Sequence, residues 1–297
     1  MIDLHAIPSP GELLRRHGMA PRKSWGQNFL HAREIHLEIV AACRQRSDQP
    51  QAVIEIGAGL GTLTAHLLAA GLEVHAIERD RDLCEVLRIE LGGLPGFHLH
   101  EADAVRFDYG EAARSLIASG HAKPAIVGNL PYQLTGALLF SLLDYDALTG
   151  PWVVMVQREV ADRLCAAPGS KTYGGATVSL SRVRAIRRVC AVNRGCFLPP
   201  PHVDSAVIRL DPRPEPRGEV GDPQAFLGLV RSAFQRRRKT LANALAGLGE
   251  RDQVLRWIAS AELDPGIRPE RLGPEQFAAL QRAREADTKR AREADTK

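Results

Sequence analysis

No stretch of the 297 residues approaches the ~18 uninterrupted apolar positions that a membrane helix requires. The opening MIDLHAIPSPGELLRRHG also lacks the apolar core of a secretory leader. A cytoplasmic protein without membrane contact is the expectation. Cysteine is scarce: Cys43, Cys84, Cys165, Cys190 and Cys196 are odd in number, and no two stand at C-x-x-C spacing. That argues against a disulfide framework or a cysteine-based zinc site and for free thiols in a reducing compartment. The histidines, His202 among them, form no H-x-x-x-H spacing with a third partner, so no metal is assigned.

Acidic residues are missing from two stretches of a chain whose net charge is only +4. RVRAIRRVCAVNR (182 to 194) holds five arginines, and RSAFQRRRKT (231 to 240) four arginines and a lysine. Each is either a footprint for a phosphate backbone or a solvated face.

At 44% hydrophobic residues the chain can bury a full core, in one large domain plus a smaller one. From residue 52, apolar runs alternate with helical patterns. AVIEIG, EVHAIE, FHLHEAD, AIVGNL, WVVMVQ and SAVIRL read as strands; GTLTAHLLAA, DRDLCEVLRIEL, TGALLFSLL and REVADRLCAA read as helices. Such alternation implies a doubly wound α/β sheet of parallel strands, with ligands outside the strands' carboxyl ends. DPRPEPRGEVGDP (211 to 223) reads as a linker, and only helical patterns follow it. The last sixteen residues are RAREADTK written twice, read as a disordered or frayed helical tail.

EIGAGLGTLT (55 to 64) lies at a strand-to-helix turn, where Gly57, Gly59 and Gly61 let the backbone pass close to a ligand. A dinucleotide fingerprint would place a third glycine where Thr62 stands; the spacing found suits S-adenosylmethionine instead, although a packing turn explains it equally. Glu78 ends the second strand, where a carboxylate can accept both hydroxyls of a ribose. Asp103 ends the third, in reach of an adenine amine; either acid alone reads as a cap or a surface charge. Asn129 and the carbonyl of Leu130, in VGNLPYQLTG, offer two acceptors for the N–H bonds of an exocyclic amine, held by Pro131. Tyr132 offers a ring for an unstacked base, and Phe197, at the head of FLPPPHVDSAVIRL, a second one. A turn is the alternative for the first stretch and core packing for the second.

These motifs, with KSWGQNFL (23 to 30), QREVADRL, PGSKTYG and FQRRRKTLANAL, occur in the order seen in the rRNA adenine N6,N6-dimethyltransferases, which the chain resembles from about Arg22 to about Leu280. GATVSLS departs from that family's usual run after PGSKTYG. The resemblance implies a Rossmann-like methyltransferase sheet with a small C-terminal α-helical domain. It divides the chain into an extension (1–21), the methyltransferase domain (22–211), a linker (212–222), a helical rRNA-binding domain (223–283) and the polar tail (284–297). It also implies that Asn28 and Leu30 close over the methionine end of S-adenosylmethionine and that Gly57 approaches the cofactor's amino-acid part. Glu78 would then meet the ribose, Asp103 the adenine, and Asn129 both cofactor and target amine, with Tyr132 and Phe197 flanking the base.

The NLPY and RRKTLANAL motifs look most like those of the small-subunit enzymes. The implied activity is therefore dimethylation of N6 on two adjacent adenosines in the 3′-terminal hairpin loop of 16S rRNA, within the immature small subunit, by a monomer. The large-subunit (23S) enzymes that confer macrolide resistance, and an assembly factor whose binding matters more than its chemistry, are the alternatives. A dehydrogenase fits the glycine spacing poorly.

Overall fold

The computed structural model describes residues 7–22, 26–44, 51–236 and 239–295. Lys23, Ser24, Trp25, Arg237 and Arg238, within two of the quoted motifs, lie outside these. The chain forms two compact units, Met1–Ala161 with Ile186–Pro212, and Asp162–Ala185 with Arg213–Lys297. Among the described residues no helix is long and apolar enough to cross a membrane.

The first unit is built on a seven-stranded sheet: β1 (Ala52–Ile56), β2 (Glu73–Glu78), β3 (Phe97–Glu101), β4 (Ala125–Asn129), β5 (Trp152–Gln157), β6 (Arg184–Val192, whose first two residues belong to the second unit) and β7 (Ser205–Pro212), in the order β3-β2-β1-β4-β5-β7-β6. Parallel pairing runs from β3 to β5, with Val53 opposite both Val74 and Ala125. The apolar runs of β1 and β5 are buried because helices cover a parallel sheet on both faces. Those of this unit are α1 (Pro10–Arg16), α2 (Arg33–Cys43), α3 (Thr62–Ala69), α4 (Arg81–Leu91), α5 (Tyr109–Ala118), α6 (Thr135–Ser141) and the start of α7 (Arg158–Leu164). Ile39, Leu67, Val74, Leu87, Val127 and Met155 meet in one core cluster. The winding reverses between β1 and β4, which is where a doubly wound sheet opens a crevice.

Two features depart from the all-parallel expectation. The basic stretch RVRAIRRVCAV is itself largely strand, and β7 pairs antiparallel with β5, from Trp152 opposite Leu210 to Gln157 opposite Ser205. Residues 193–204, between β6 and β7, hold no crossover helix of the kind that parallel neighbours need, only a short 3₁₀ turn and a two-residue strand.

The second unit packs α8 (Gly175–Val183), α9 (Pro223–Gln235), α10 (Leu241–Ala244), α11 (Arg251–Ser260) and α12 (Pro274–Asp295). Tyr173 and Val178 share its core with Phe226, Leu229, Trp257 and Phe277, and the Tyr173 hydroxyl donates to the Leu272 carbonyl at 3.0 Å. Residues 162–185 therefore belong with the helices after 213, although the sequence boundary put them with the sheet. Of the two readings of the tail, disordered or frayed helix, the helical one holds: α12 continues to Asp295, and the first RAREADTK copy is docked. Trp257 Nε1 donates to Asp287 at 2.9 Å, and Glu285 accepts from the N–H groups of Gly221 and Asp222.

Candidate active site

A cleft of about 1010 Å³ opens at the carboxyl ends of β1, β2, β4 and β5. Asn28, Leu30, Gly57, Glu78, Asp103, Asn129, Leu130 and Tyr132 all line it. The glycine turn shapes one wall. Gly57, Gly59 and Gly61 all have positive φ, and a Cβ at Gly59 would stand 3.4 Å from the Phe29 ring, so the turn needs both the backbone freedom and the missing side chain.

Glu78 braces that turn. Its Oε2 accepts from the Gly59 N–H at 2.9 Å, and its Oε1 from the N–H groups of Arg79 and Asp80 at 2.8 and 2.9 Å. Burial raises its pKa, and the three N–H donors oppose the rise. A carboxylate offers about four acceptor positions, so roughly one remains on Oε2 for a ligand hydroxyl. Asp103 is more open: its Oδ1 accepts from Val105 N–H at 2.9 Å, and Oδ2 lies 4.0 Å from Arg79.

The amide of Asn129 donates through Nδ2 to the Asn28 carbonyl at 3.2 Å, joining the N-terminal segment to the end of β4. The Leu130 N–H donates to the Met155 carbonyl at 3.1 Å, which fixes the peptide after Asn129. The Tyr132 hydroxyl stands 2.8 Å from Ser205 Oγ and orients the ring.

Phe197 is not with these residues. It is 2% exposed, belongs to the core cluster and does not line the cleft. Its strand, Phe197–Leu198, pairs antiparallel with Phe29–Leu30 and draws the ring inward, while Pro199, Pro200, Pro201, His202 and Val203 reach the cleft. The basic stretch at 182–194 is likewise split. Arg184 is fully buried, whereas Arg187, Arg188 and Arg194 are exposed, with Arg187 lying 3.9 Å from Asp211. In the second stretch Arg231, Arg236 and Lys239 are exposed.

Other functional residues escaped the sequence reading. Asp80, buried at the N-cap of α4, receives Arg22 Nη1 on both oxygens at 3.0 Å and Gln27 Nε2 at 2.8 Å, which anchors the segment before Asn28. Nothing in the sequence named these partners. Beneath the glycine turn, Glu55 is 1% exposed and accepts from Thr64 Oγ1 at 2.7 Å; burial pushes its pKa up to about 8. His36 also lines the cleft. It is 2% exposed, packs 4.6 Å from His66, and neither ring nitrogen has a partner among the described residues; burial, then His66, brings its pKa down to about 3.

A parallel sheet reversing at β1/β4, a glycine turn braced by an acid, and polar groups at successive strand ends define an α/β domain of the methyltransferase class. The model of the family described as ribosomal RNA adenine dimethylase matches residues 18–281. The chain belongs to that family. It is 46% identical over 282 residues to the ribosomal RNA small subunit methyltransferase A of Anaeromyxobacter dehalogenans, covering 93% of this chain and 98% of that one. Its identity to the protein of the same name from Myxococcus xanthus is 40%, covering 93% and 95%. Among solved structures it resembles the 23S rRNA methyltransferase ErmE (TM-score 0.65, 26% identity, covering 87% and 100%) and a dimethyladenosine transferase from Plasmodium falciparum (TM-score 0.65, 25% identity, covering 85% and 95%).

Proposed function

We propose that this enzyme transfers methyl groups from S-adenosylmethionine to N6 of two adjacent adenosines in the 3′-terminal hairpin loop of 16S rRNA, acting on the immature small subunit. The observation that carries the reading is Asn129: it ends β4 inside the cleft, with Nδ2 committed to the Asn28 carbonyl. The small-subunit relatives, matched along nearly their whole lengths, favour 16S rRNA as the substrate.

The cleft fits a nucleoside cofactor beside a splayed base. About 1010 Å³ exceeds what a single drug-sized ligand needs, and the unpartnered nitrogens of buried His36 border it. When bound, S-adenosylmethionine supplies an electrophilic sulfonium methyl group. Glu78 would accept a ribose hydroxyl and Asp103 the adenine amine, while the glycine turn lets backbone approach the amino-acid part.

Adenine N6 is a weak nucleophile because its lone pair is delocalised into the ring. Asn129 Oδ1 and the Leu130 carbonyl would accept its N–H bonds and favour a more tetrahedral nitrogen, its lone pair turned toward the donor. Tyr132 would hold the base by stacking. The nitrogen becomes acidic on alkylation and loses its proton to solvent, so no strong base is required. Exposed Arg187, Arg188, Arg194, Arg231, Arg236 and Lys239 are candidate rRNA contacts, and binding through them should weaken steeply with salt.

The test offers labelled S-adenosylmethionine with immature small subunits in one arm and naked 23S rRNA in the other. Label in 16S rRNA alone is expected. Label in 23S rRNA would favour the large-subunit reading, and subunit binding without label a non-catalytic role.

A further inference from the structure

Three to five residues back from Glu78 along β2, or about 10–17 Å, the sheet carries a second constellation. We propose that Glu73, His75 and His98, with His121 at the rim, form a binding site for one divalent transition-metal ion of the zinc class. His75 and His98 are direct partners in the parallel register of β2 and β3, and Glu73, two residues before His75, projects from the same face. Glu73 Oε1 lies 3.0 Å from His75 Nε2 and 3.3 Å from His98 Nε2. His121 Nε2 lies 3.3 Å from the other oxygen of the same carboxylate. One ligand atom from each of Glu73, His75 and His98 falls within 4.8 Å of the others. A tetrahedral ion with bonds of about 2.0–2.1 Å holds its ligands about 3.3 Å apart, close to the separations Glu73 Oε1 keeps from the two Nε2 atoms.

The surroundings are those of a metal-ligating histidine. The second nitrogen of His75, Nδ1, stands 3.0 Å from His100 Nε2. With the ion on Nε2, Nδ1 carries the proton and donates it to His100, which fixes tautomer and ring orientation. The His98 ring stacks on that of His75 at 4.6 Å and leaves one side of the group open to solvent as an entry path. Chain spacing gives no hint of this site because its ligands come from two strands. An ion here would clamp edge strand β3 and residue 121 to β2, a structural role away from the cleft.

The full-length protein, stripped with chelator, is titrated with Zn²⁺ by calorimetry at neutral pH. One ion per chain is expected, with affinity lowered at least about tenfold in Glu73→Gln and in His98→Ala, and in His100→Ala, which ligates nothing. Cys165→Ser, which removes an exposed thiol as a competing zinc ligand, should leave the affinity unchanged. Co²⁺ should give the visible absorption of a tetrahedral site, lost in His98→Ala. Retained binding of S-adenosylhomocysteine shows that each variant is folded. Absence of stoichiometric binding, or wild-type affinity in both ligand variants, would overturn the proposal and leave a hydrogen-bonded histidine–carboxylate cluster.

Discussion

Asn129 and Asn28 are joined by one hydrogen bond, Nδ2 to backbone carbonyl at 3.2 Å, across 101 positions of sequence. Because the nitrogen is committed there, Oδ1 is the atom that remains to accept from a target amine. Asn129→Ala removes that acceptor and the tie together. Single-turnover methylation should fall by about 10²–10³-fold, while binding to the immature subunit, measured by sedimentation, changes little. Full activity in the variant would refute the assigned role.

Tyr132 separates ring from hydroxyl. Tyr132→Phe keeps the stacking surface and loses only the 2.8 Å bond to Ser205, so the methylation rate should drop by no more than about tenfold. Tyr132→Ala removes the platform, and a further loss of about tenfold to a hundredfold is expected. Equal rates for the two variants would show that the ring carries no base.

Gly128 lets β4 lie against β1. A Cβ there would stand 2.4 Å from the carbonyl oxygen of Ile56, a backbone atom that cannot swing aside. Gly128→Ala should cost about 1–3 kcal/mol in urea denaturation and, by displacing Asn129, lower the methylation rate as well. A stable and fully active variant would mean that the strand ends tolerate a shift the mechanism forbids.

Two buried groups oppose each other in pH dependence. Glu55 titrates at about 8 in the folded chain against an ordinary 4.5, so the unfolded chain ionises first, and stability is lost as pH rises from about 4.5 to about 8. His36 titrates at about 3 against an ordinary 6.5, so the unfolded chain takes up the proton first, and stability is lost as pH falls from about 6.5 to about 3. Each group contributes a slope of at most about 1.4 kcal/mol per pH unit. Denaturation profiles should show Glu55→Gln flattening the alkaline side and His36→Phe the acid side. Profiles parallel to wild type would show that these groups titrate alike in both states.

Most of the sheet was legible because its strands are short apolar runs between helices, and Gly57, Glu78, Asp103 and Asn129 fall at or just past strand ends, where the architecture puts ligands. What stayed hidden depends on pairing over long separations. Arg22 and Gln27 find Asp80 more than fifty residues on, and Phe197 is drawn into the core by pairing with Leu30. Val178 and Tyr173 join Phe226 through tertiary packing, and nothing in the polar RAREADTK signals that Trp257 holds it through Asp287. His75 meets His98 only through strand register.

The central claim is tested most directly by mass spectrometry of 16S rRNA after incubation of immature small subunits with the enzyme and S-adenosylmethionine. N6,N6-dimethyladenosine is expected at two adjacent positions of the 3′-terminal hairpin loop, formed about 10²–10³-fold more slowly with Asn129→Ala. Unmodified hairpin adenosines under conditions where the protein binds the subunit, or methylation elsewhere, would contradict it.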